Sequence, residues 1–252
     1  GRKHEAPLFV AVTSPVGNVV LREELRQRRH LFGKLPPEDQ VSYMFFVGAP
    51  LDPDDQVQLF EEMNKFGDVV QLDLADTFLN LAVKSVGAAV WAEKVLDQGK
   101  VRYWLKVEDF MSNKWKDVEG VVQDLQKKEE GHSPAPYYGG GMIFGENPVV
   151  RGGRWGCPKR HCKYQKYPST YAGGMYLLNM KAIHILTEKG LPVLAKDLED
   201  PYPVEDHFVA HTLESQGIKV TSDNRLLWGA GKPYNAPSVI KGDYLLSLET
   251  ER

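Results

Sequence analysis

The stretch VRYWLKVEDFMSNKW, residues 101 to 115, decides how the rest of the chain is read. Val101, Tyr103, Trp104 and Leu105 are apolar or aromatic, as a strand buried in a sheet requires, and then Glu108 and Asp109 stand side by side. An unpaired carboxylate is expensive to bury and tends to take up a proton instead. Two readings are open: the acids begin an exposed turn, or they face something positively charged.

Working upstream, LFVAVTS (8–14) is an apolar, β-rich run ending at Ser14-Pro15, which predicts a first strand. Charges at helical spacing predict a helix over 19–31. The near-continuous apolar run VSYMFFVGAP (41–50) fits a strand covered on both faces. A helix is expected over 52–66, with Val57, Phe60 and Met63 as its apolar positions and Gly67 at its carboxyl end. DVVQLDL (68–74) reads as a third strand. Residues 77–97 read as a long helix with Leu81, Val83, Val90 and Val95 as apolar positions, stopped by Gly99, and the strand 101–107 follows. This alternation predicts an α/β fold with a Rossmann-like, mostly parallel central sheet flanked by helices. Ligands gather at the carboxyl ends of such strands, where Thr13, Ser14, Glu108 and Asp109 all lie.

Downstream the character changes. Residues 131–175 are rich in Gly, Pro and Tyr, as short strands and loops require, and helices are expected near 180–189 and 204–216. No internal repeat or linker is visible. The expectation is a single domain over 1–252, with a nucleotide-binding half over about 8–120 and a half that shapes a cleft over about 121–252.

The formal charge of −3 on 252 residues, with 42% hydrophobic and 26% charged, describes an ordinary soluble globular chain and argues against nucleic acid as a partner. The basic runs RQRRH (26–30) and KRHCKYQK (159–166) are short and read as solvated faces. No stretch reaches the ~18 consecutive apolar residues of a membrane span. No signal peptide is visible at GRKHEAP, so any membrane anchor is expected upstream of Gly1. Cys157 and Cys162, in GCPKRHC, are too few for a structural zinc. They read either as a small surface disulfide in an oxidising compartment or as two free thiols.

Several constellations carry chemistry. Adjacent acids after a sheet strand suit a Mg or Mn ion that takes its other ligands from substrate phosphates, or else they form an exposed turn. Glu205-Asp206 in PYPVEDHFVAHTL (201–213) either initiate a helix, favoured by its macrodipole, or place a general base at the cleft. The glycines at 139–141 and 173–174 permit close approach of a ligand or simply make tight turns; neither cluster is a P-loop or a dinucleotide fingerprint. Arg22, Arg26 and Arg29 either clamp phosphate or are solvated on a polar helix.

The order of the pieces is more specific than any one of them. FGDVVQLDLADTFLNLAVKS, then YWLKVED, then YPSTYAGGMY, then VEDHF follow one another as four blocks. In this order and spacing they resemble the β1,3-glycosyltransferase family of galactosyl-, N-acetylglucosaminyl- and fringe-type enzymes. Gly67, Asp68, Asp73, Asp76, Phe78, Asn80, Leu81, Lys84 and Ser85 follow the first block. Tyr167, Pro168, Tyr171, Gly173 and Tyr176 follow the third, Glu205-Asp206 the last, and LREELR matches a further family helix through Arg22 and Arg26. The likeness runs from about Leu8 to Val220. One departure stands out: where the family has three consecutive acids, this chain has only Glu108 and Asp109, one residue shorter. No histidine follows His211 to match the late metal-site histidine of some relatives.

The resemblance implies a GT-A fold, a UDP-sugar donor and inverting transfer of a hexose to a hydroxyl of a glycan or glycoprotein. Galactose is the favoured sugar, with N-acetylglucosamine the other common one, and the linkage is expected to be β1,3. It implies Asp206 as general base with Glu205 positioning it. Thr13, Arg22, Arg26, Asp76, Asn80, Lys84, Glu108 and Asp109 would lie around the donor. Glu108 and Asp109 would hold Mn2+ or Mg2+, and Trp155, Tyr164, Tyr171, Gly173 and Gly174 would lie around the acceptor. It also implies a type II membrane protein of the Golgi or endoplasmic reticulum lumen. A catalytically degenerate relative that binds glycans or a protein is the alternative.

Overall fold

The computed structural model describes residues 7–27, 41–109, 118–141, 143–144, 147–153, 156–167, 171–172, 174–196, 198 and 200–226, with only the backbone of Val41, Ser42, Ile143, Phe144, Tyr171 and Ala172. The first half alternates as expected: β1 (Leu8–Thr13), α1 (Val19–Gln27), β2 (Val41–Ala49), α2 (Pro53–Phe66), β3 (Val69–Ala75), α3 (Leu81–Val95) and β4 (Tyr103–Glu108). Then come α4 (Val118–Glu129), β5 (Tyr138–Gly140), β6 (Ile143–Phe144), β7 (Tyr171–Ala172), β8 (Tyr176–Asn179), α5 (Met180–Leu194), α6 (Glu205–Glu214) and β9 (Thr221–Ser222). The part of the expected 19–31 helix beyond Gln27 lies outside the described residues.

One seven-stranded sheet runs through both halves in the order β3-β2-β1-β4-β8-β5-β9. Its first four strands are parallel, and β8 then enters antiparallel between β4 and β5. The sheet is therefore mixed, the architecture of a GT-A fold. Register places Thr13 beside Phe46 on one side and Glu108 on the other, so the carboxyl ends of β1 and β4 form a common rim. Alternation splits the strands between two cores. Phe9, Ala11 and Trp104 face α3, α5 and α6, while Val10, Val12, Tyr103, Leu105 and Val107 face α1, α2 and α4.

One helix buries a face other than the one expected, and another buries more than the expected positions. On α2, Val57 and Phe60 are more than half exposed, and Leu59 and Glu62 point inward, with Met63 packed at the core margin. Glu62 is drawn in because Arg22 and Arg26 of α1 pair with it there. On α3 the most deeply buried residues are Ala82, Val86, Ala88, Ala89 and Ala92; the expected Val83 and Val90 pack at the margin of the same core, and Val95 is exposed. The four alanines at the centre of this face let α3 lie close to the sheet and to α5. Gly67 closes α2 at φ 63°, as the sequence predicts, and at the other end the Asp52 side chain caps the helix by accepting from Asp54 N. At Gly48 a Cβ would lie 2.8 Å from Asp76 Cα, so glycine is what lets β3 bring Asp76 to the rim.

Candidate active site

Two acids adjacent in sequence go to opposite faces of the sheet. Asp109, just past β4, is buried, and its Oδ2 accepts from Ser14 Oγ (2.7 Å) and Asn18 Nδ2 (2.9 Å). Burial, reinforced by the Glu108 charge, raises its pKa above the usual aspartate value despite these neutral donors. Its Oδ1 makes no hydrogen bond among the described residues. Glu108 turns the other way, and its Oε1 lies 3.1 Å from Lys106 Nζ.

The rim beneath Asp109 is built by cations expected at a phosphate. Arg22 is fully buried: it donates to Glu62 Oε1 (2.9 Å) and Oε2 (2.6 Å), to Ser14 Oγ (3.0 Å), and to the carbonyls of Pro15 (2.7 Å) and Val16 (2.9 Å). Arg26 pairs with Glu62 and Asp68 and stacks over Phe66 at 3.9 Å. Lys84 pairs with Asp76 and donates to Ser14 O at 3.1 Å, while Asp76 accepts from Val16 N. Thr13 Oγ1 donates to Val107 O (3.2 Å), and Asn80 Nδ2 to Ala75 O (2.8 Å). Of these expected donor residues, Arg22, Lys84 and Asp76 shape the 14–18 loop directly, whereas Arg26, Asn80 and Thr13 bond elsewhere.

Across from the rim stands the first turn of α6. Glu205 is buried, taking the Tyr176 hydroxyl on Oε1 (2.5 Å) and Lys106 Nζ on Oε2 (3.2 Å). Lys106 therefore links Glu205 to Glu108 directly. Burial works against the Lys106 charge, but the Glu205 and Glu108 carboxylates outweigh it and hold its pKa above the usual lysine value. Asp206, beside Glu205, is partly open to solvent and accepts from His207 N at 2.9 Å. Burial first, then the Glu205 charge, pushes its pKa up to about 7, with Lys106 pulling the other way. Burial also lowers His207 to about 4, which keeps its imidazole neutral against the Tyr167 ring at 3.7 Å.

Next to Asp206 lies an aromatic and sulfur cluster. The Tyr164 and Tyr202 hydroxyls are 2.5 Å apart, and Tyr202 Oη is 2.8 Å from Cys162 Sγ. Cys157 and Cys162 form a disulfide that is fully buried, so of the two readings the bridge is the one present, though not at the surface. Arg151 knits this loop through the carbonyls of Cys157 (3.2 Å), Cys162 (2.6 Å) and Tyr164 (2.6 Å). Tyr164 also packs on His211, with ring centres 4.9 Å apart. Gly174 joins the site through its carbonyl, 3.4 Å from Lys106 Nζ. Trp155 and Gly173 lie outside the described residues, as does the side chain of Tyr171.

Ser14, expected at the strand end, holds Asp109, whereas Lys106, Asn18 and the site role of Tyr176 are what sequence reasoning missed. The signal for Lys106 was a single cation within YWLKVE, an otherwise apolar strand. No group of three or more His, Cys, Asp or Glu able to hold a metal exists among the described residues. Asp109 Oδ1 nevertheless fits one ligand position of an ion whose other ligands come from phosphates and water. The fit rests on a buried carboxylate with a raised pKa and only neutral hydrogen-bond partners, whose charge a cation would compensate. Glu108 is already balanced by Lys106.

The chain is similar to human N-acetyllactosaminide beta-1,3-N-acetylglucosaminyltransferase 3, 25% identical over 85% of this chain and 55% of that protein. It is also similar to the Drosophila melanogaster beta-1,3-galactosyltransferase brn, 22% identical over 72% of this chain and 53% of that protein. It thus spans about half the length of the curated relatives it matches. Among solved structures, mouse xyloside xylosyltransferase 1 aligns at 12% identity and a TM-score of 0.37, over 86% of this chain and 84% of that one, a likeness too distant to carry weight. The model of the Galactosyltransferase family matches residues 23–224, and the chain belongs to that family.

Proposed function

We propose that the chain is the catalytic part of an inverting β1,3-glycosyltransferase that moves a hexose from a UDP-sugar to a hydroxyl of a glycan or glycoprotein. Galactose is the donor sugar proposed first, and N-acetylglucosamine, named in several relatives, the one to test beside it. The observation that carries the reading is Asp206: a carboxylate with a pKa of about 7, joined through Glu205, Lys106 and Glu108 to the strand end where donors bind in such sheets.

In this reading Asp206 accepts the proton of the acceptor hydroxyl. That oxygen then bonds to the anomeric carbon from the face opposite the diphosphate, and the bond from that carbon to the phosphate oxygen breaks, releasing UDP. Mn2+ or Mg2+, held by Asp109, would spread the charge that develops on the leaving diphosphate. The 14–18 loop, stiffened by Arg22 and by the Lys84–Asp76 pair, presents Asp109 without needing to reorganise. Tyr164, half-buried and held by the buried Tyr202 hydroxyl, offers the aromatic surface proposed for an acceptor sugar.

The proposed setting is the Golgi or endoplasmic reticulum lumen, through an anchor outside this sequence. The buried disulfide supports an oxidising compartment, and no helix of the described residues is long and apolar enough to cross a membrane. The test is a panel of UDP-sugars with and without Mn2+, read by melting temperature and by transfer to glycan acceptors. One donor is expected to raise the melting temperature and be transferred by the native chain, but not transferred by Asp206→Asn. A chain that binds a glycan, shows no shift with any nucleotide sugar and transfers none is the degenerate alternative.

A further inference from the structure

Lys106 touches neither a donor nor an acceptor in the reading above, yet it ties together three separate parts of the site. It is fully buried in the middle of the sheet, where a lysine persists only with its charge matched and its donors used. Alternation along β4 puts it on the face of Trp104 and Glu108, the face that α6 covers. Its Nζ lies 3.1 Å from Glu108 Oε1, 3.2 Å from Glu205 Oε2 and 3.4 Å from Gly174 O. These acceptors belong to three segments: the carboxyl end of β4, the first residue of α6, and the turn before β8, where Gly174 has φ 65°. An ammonium has three N–H donors, and each segment takes one.

We propose that Lys106 is the positioning residue of this site, fixing the first turn of α6, and with it Asp206, at a set place across the groove from the end of β4. The inference rests on the reading of Asp206 as the base. Glu205 transmits the hold. One of its oxygens takes Tyr176 from β8 and the other takes Lys106 from β4, so the residue immediately before Asp206 is held by two strands at once. The Lys106–Glu205 pair gives the first turn of α6 an ionic link to β4.

Charge acts in the same place. The groups facing Asp206 are Glu205 and the neutral His207 on its own helix, Lys106 and Glu108 from β4, Tyr176 from β8, and Tyr167 and Tyr202 from the loops. Lys106 is the cation in this set. It favours the carboxylate form of Asp206, the form that accepts a proton, whereas Glu205 and Glu108 oppose it. Removing the lysine therefore displaces the base and weakens its ionisation together.

The test compares Lys106→Met, Glu205→Gln and the pair together with the native chain, in transfer from the UDP-sugar that the panel identifies. Lys106→Met is expected to lower kcat by about 10²-fold, the effect of misplacing a reacting group by an ångström, while KM for the donor moves by less than roughly 3-fold. The acid limb of kcat/KM is expected to move up in Lys106→Met and down in Glu205→Gln. A simple loss of folded protein does not produce opposite shifts. In the double variant the kcat losses are expected not to multiply, because both changes break one link. Should Lys106→Met fail to fold, the double variant, which removes the buried Glu205 carboxylate along with its cation and leaves only the part-exposed Glu108, carries the test. Its melting temperature recovers and its kcat stays low. Native kcat in Lys106→Met or in the double variant, losses that multiply, or limbs that move together overturn the proposal. A native chain that transfers nothing from any UDP-sugar overturns the functional reading and this inference with it, whereas an active native chain unaffected at Lys106 overturns this inference alone.

Discussion

Asp206 carries opposing demands on one carboxyl. Its pKa is held up to about 7 by burial and by Glu205, against about 3.9 for an aspartate in an unfolded chain. Below about pH 4 the group is neutral in both states and contributes nothing. Between there and pH 7 the unfolded chain ionises first, so the native state loses ground as pH rises, on the order of 2–4 kcal/mol once both are ionised. Asp206→Asn is therefore expected to stabilise the protein above pH 7 by that order and to make no difference near pH 4, while abolishing transfer. Urea unfolding of both proteins across this range reads the first effect, and a native chain at least as stable as the variant at pH 8 refutes it. Sequence order exposed Asp206, Glu205 and Asp109 because their residue types announce acid chemistry. It did not reveal what Arg22 and Lys84 would do, since a cation looks the same whether it meets a phosphate or a carboxylate. Their partners, Glu62 and Asp76, reach them only in the folded chain.

Among the elements, α2 shows where periodicity stops being informative. Val57, Phe60 and Met63 lie at three-residue steps and define an apolar stripe on paper. The helix instead turns Leu59 and Glu62 inward, because the carboxylate of Glu62 satisfies both Arg22 and Arg26 beneath the loop that presents Asp109. A buried ion pair outweighs a modest apolar stripe in setting rotation, since leaving either partner unpaired costs about 3–5 kcal/mol. Val57→Ser and Phe60→Ser are accordingly expected to change stability by no more than about 0.5 kcal/mol. Leu59→Ala should cost about 2–5 kcal/mol, and Glu62→Gln should cost about 3 kcal/mol or more. Urea midpoints of the four variants decide this, and a large loss from Phe60→Ser together with tolerance at Leu59 would reverse the assigned face. Strand and helix order over residues 8–108 was legible for the usual reason that both periods are written locally. The entry of β8 antiparallel beside β4 was not, because nothing local in YLLN specifies which strand it joins.

At the scale of the molecule, the sheet divides the labour. The parallel strands carry Asp109 and its supporting loop, and the segments that follow them bring the first turn of α6 against Lys106 of β4 and the disulfide-closed loop against Tyr202. That loop packs on the Asp206 side: Cys162 meets Tyr202, Tyr202 meets Tyr164, and both Tyr202 and Tyr167 feel the charge of Asp206. Asp109 is held instead by Ser14 and Asn18, and Ser14 in turn by Arg22. Cys157 and Cys162 are five positions apart, a short ring whose closure is worth about 2 kcal/mol by loop entropy. Replacing both with serine should therefore lower stability by about 2 kcal/mol or somewhat more, because the bridge is buried. The functional effect should be one-sided. With the Tyr164–Tyr202 pair loosened, KM for the acceptor is expected to rise by about tenfold, the equivalent of one lost hydrogen bond. The melting shift produced by the donor with Mn2+ should be retained. A double serine variant whose donor shift disappears while its acceptor KM is unchanged would place the bridge on the donor side and break the division of the groove drawn from this fold.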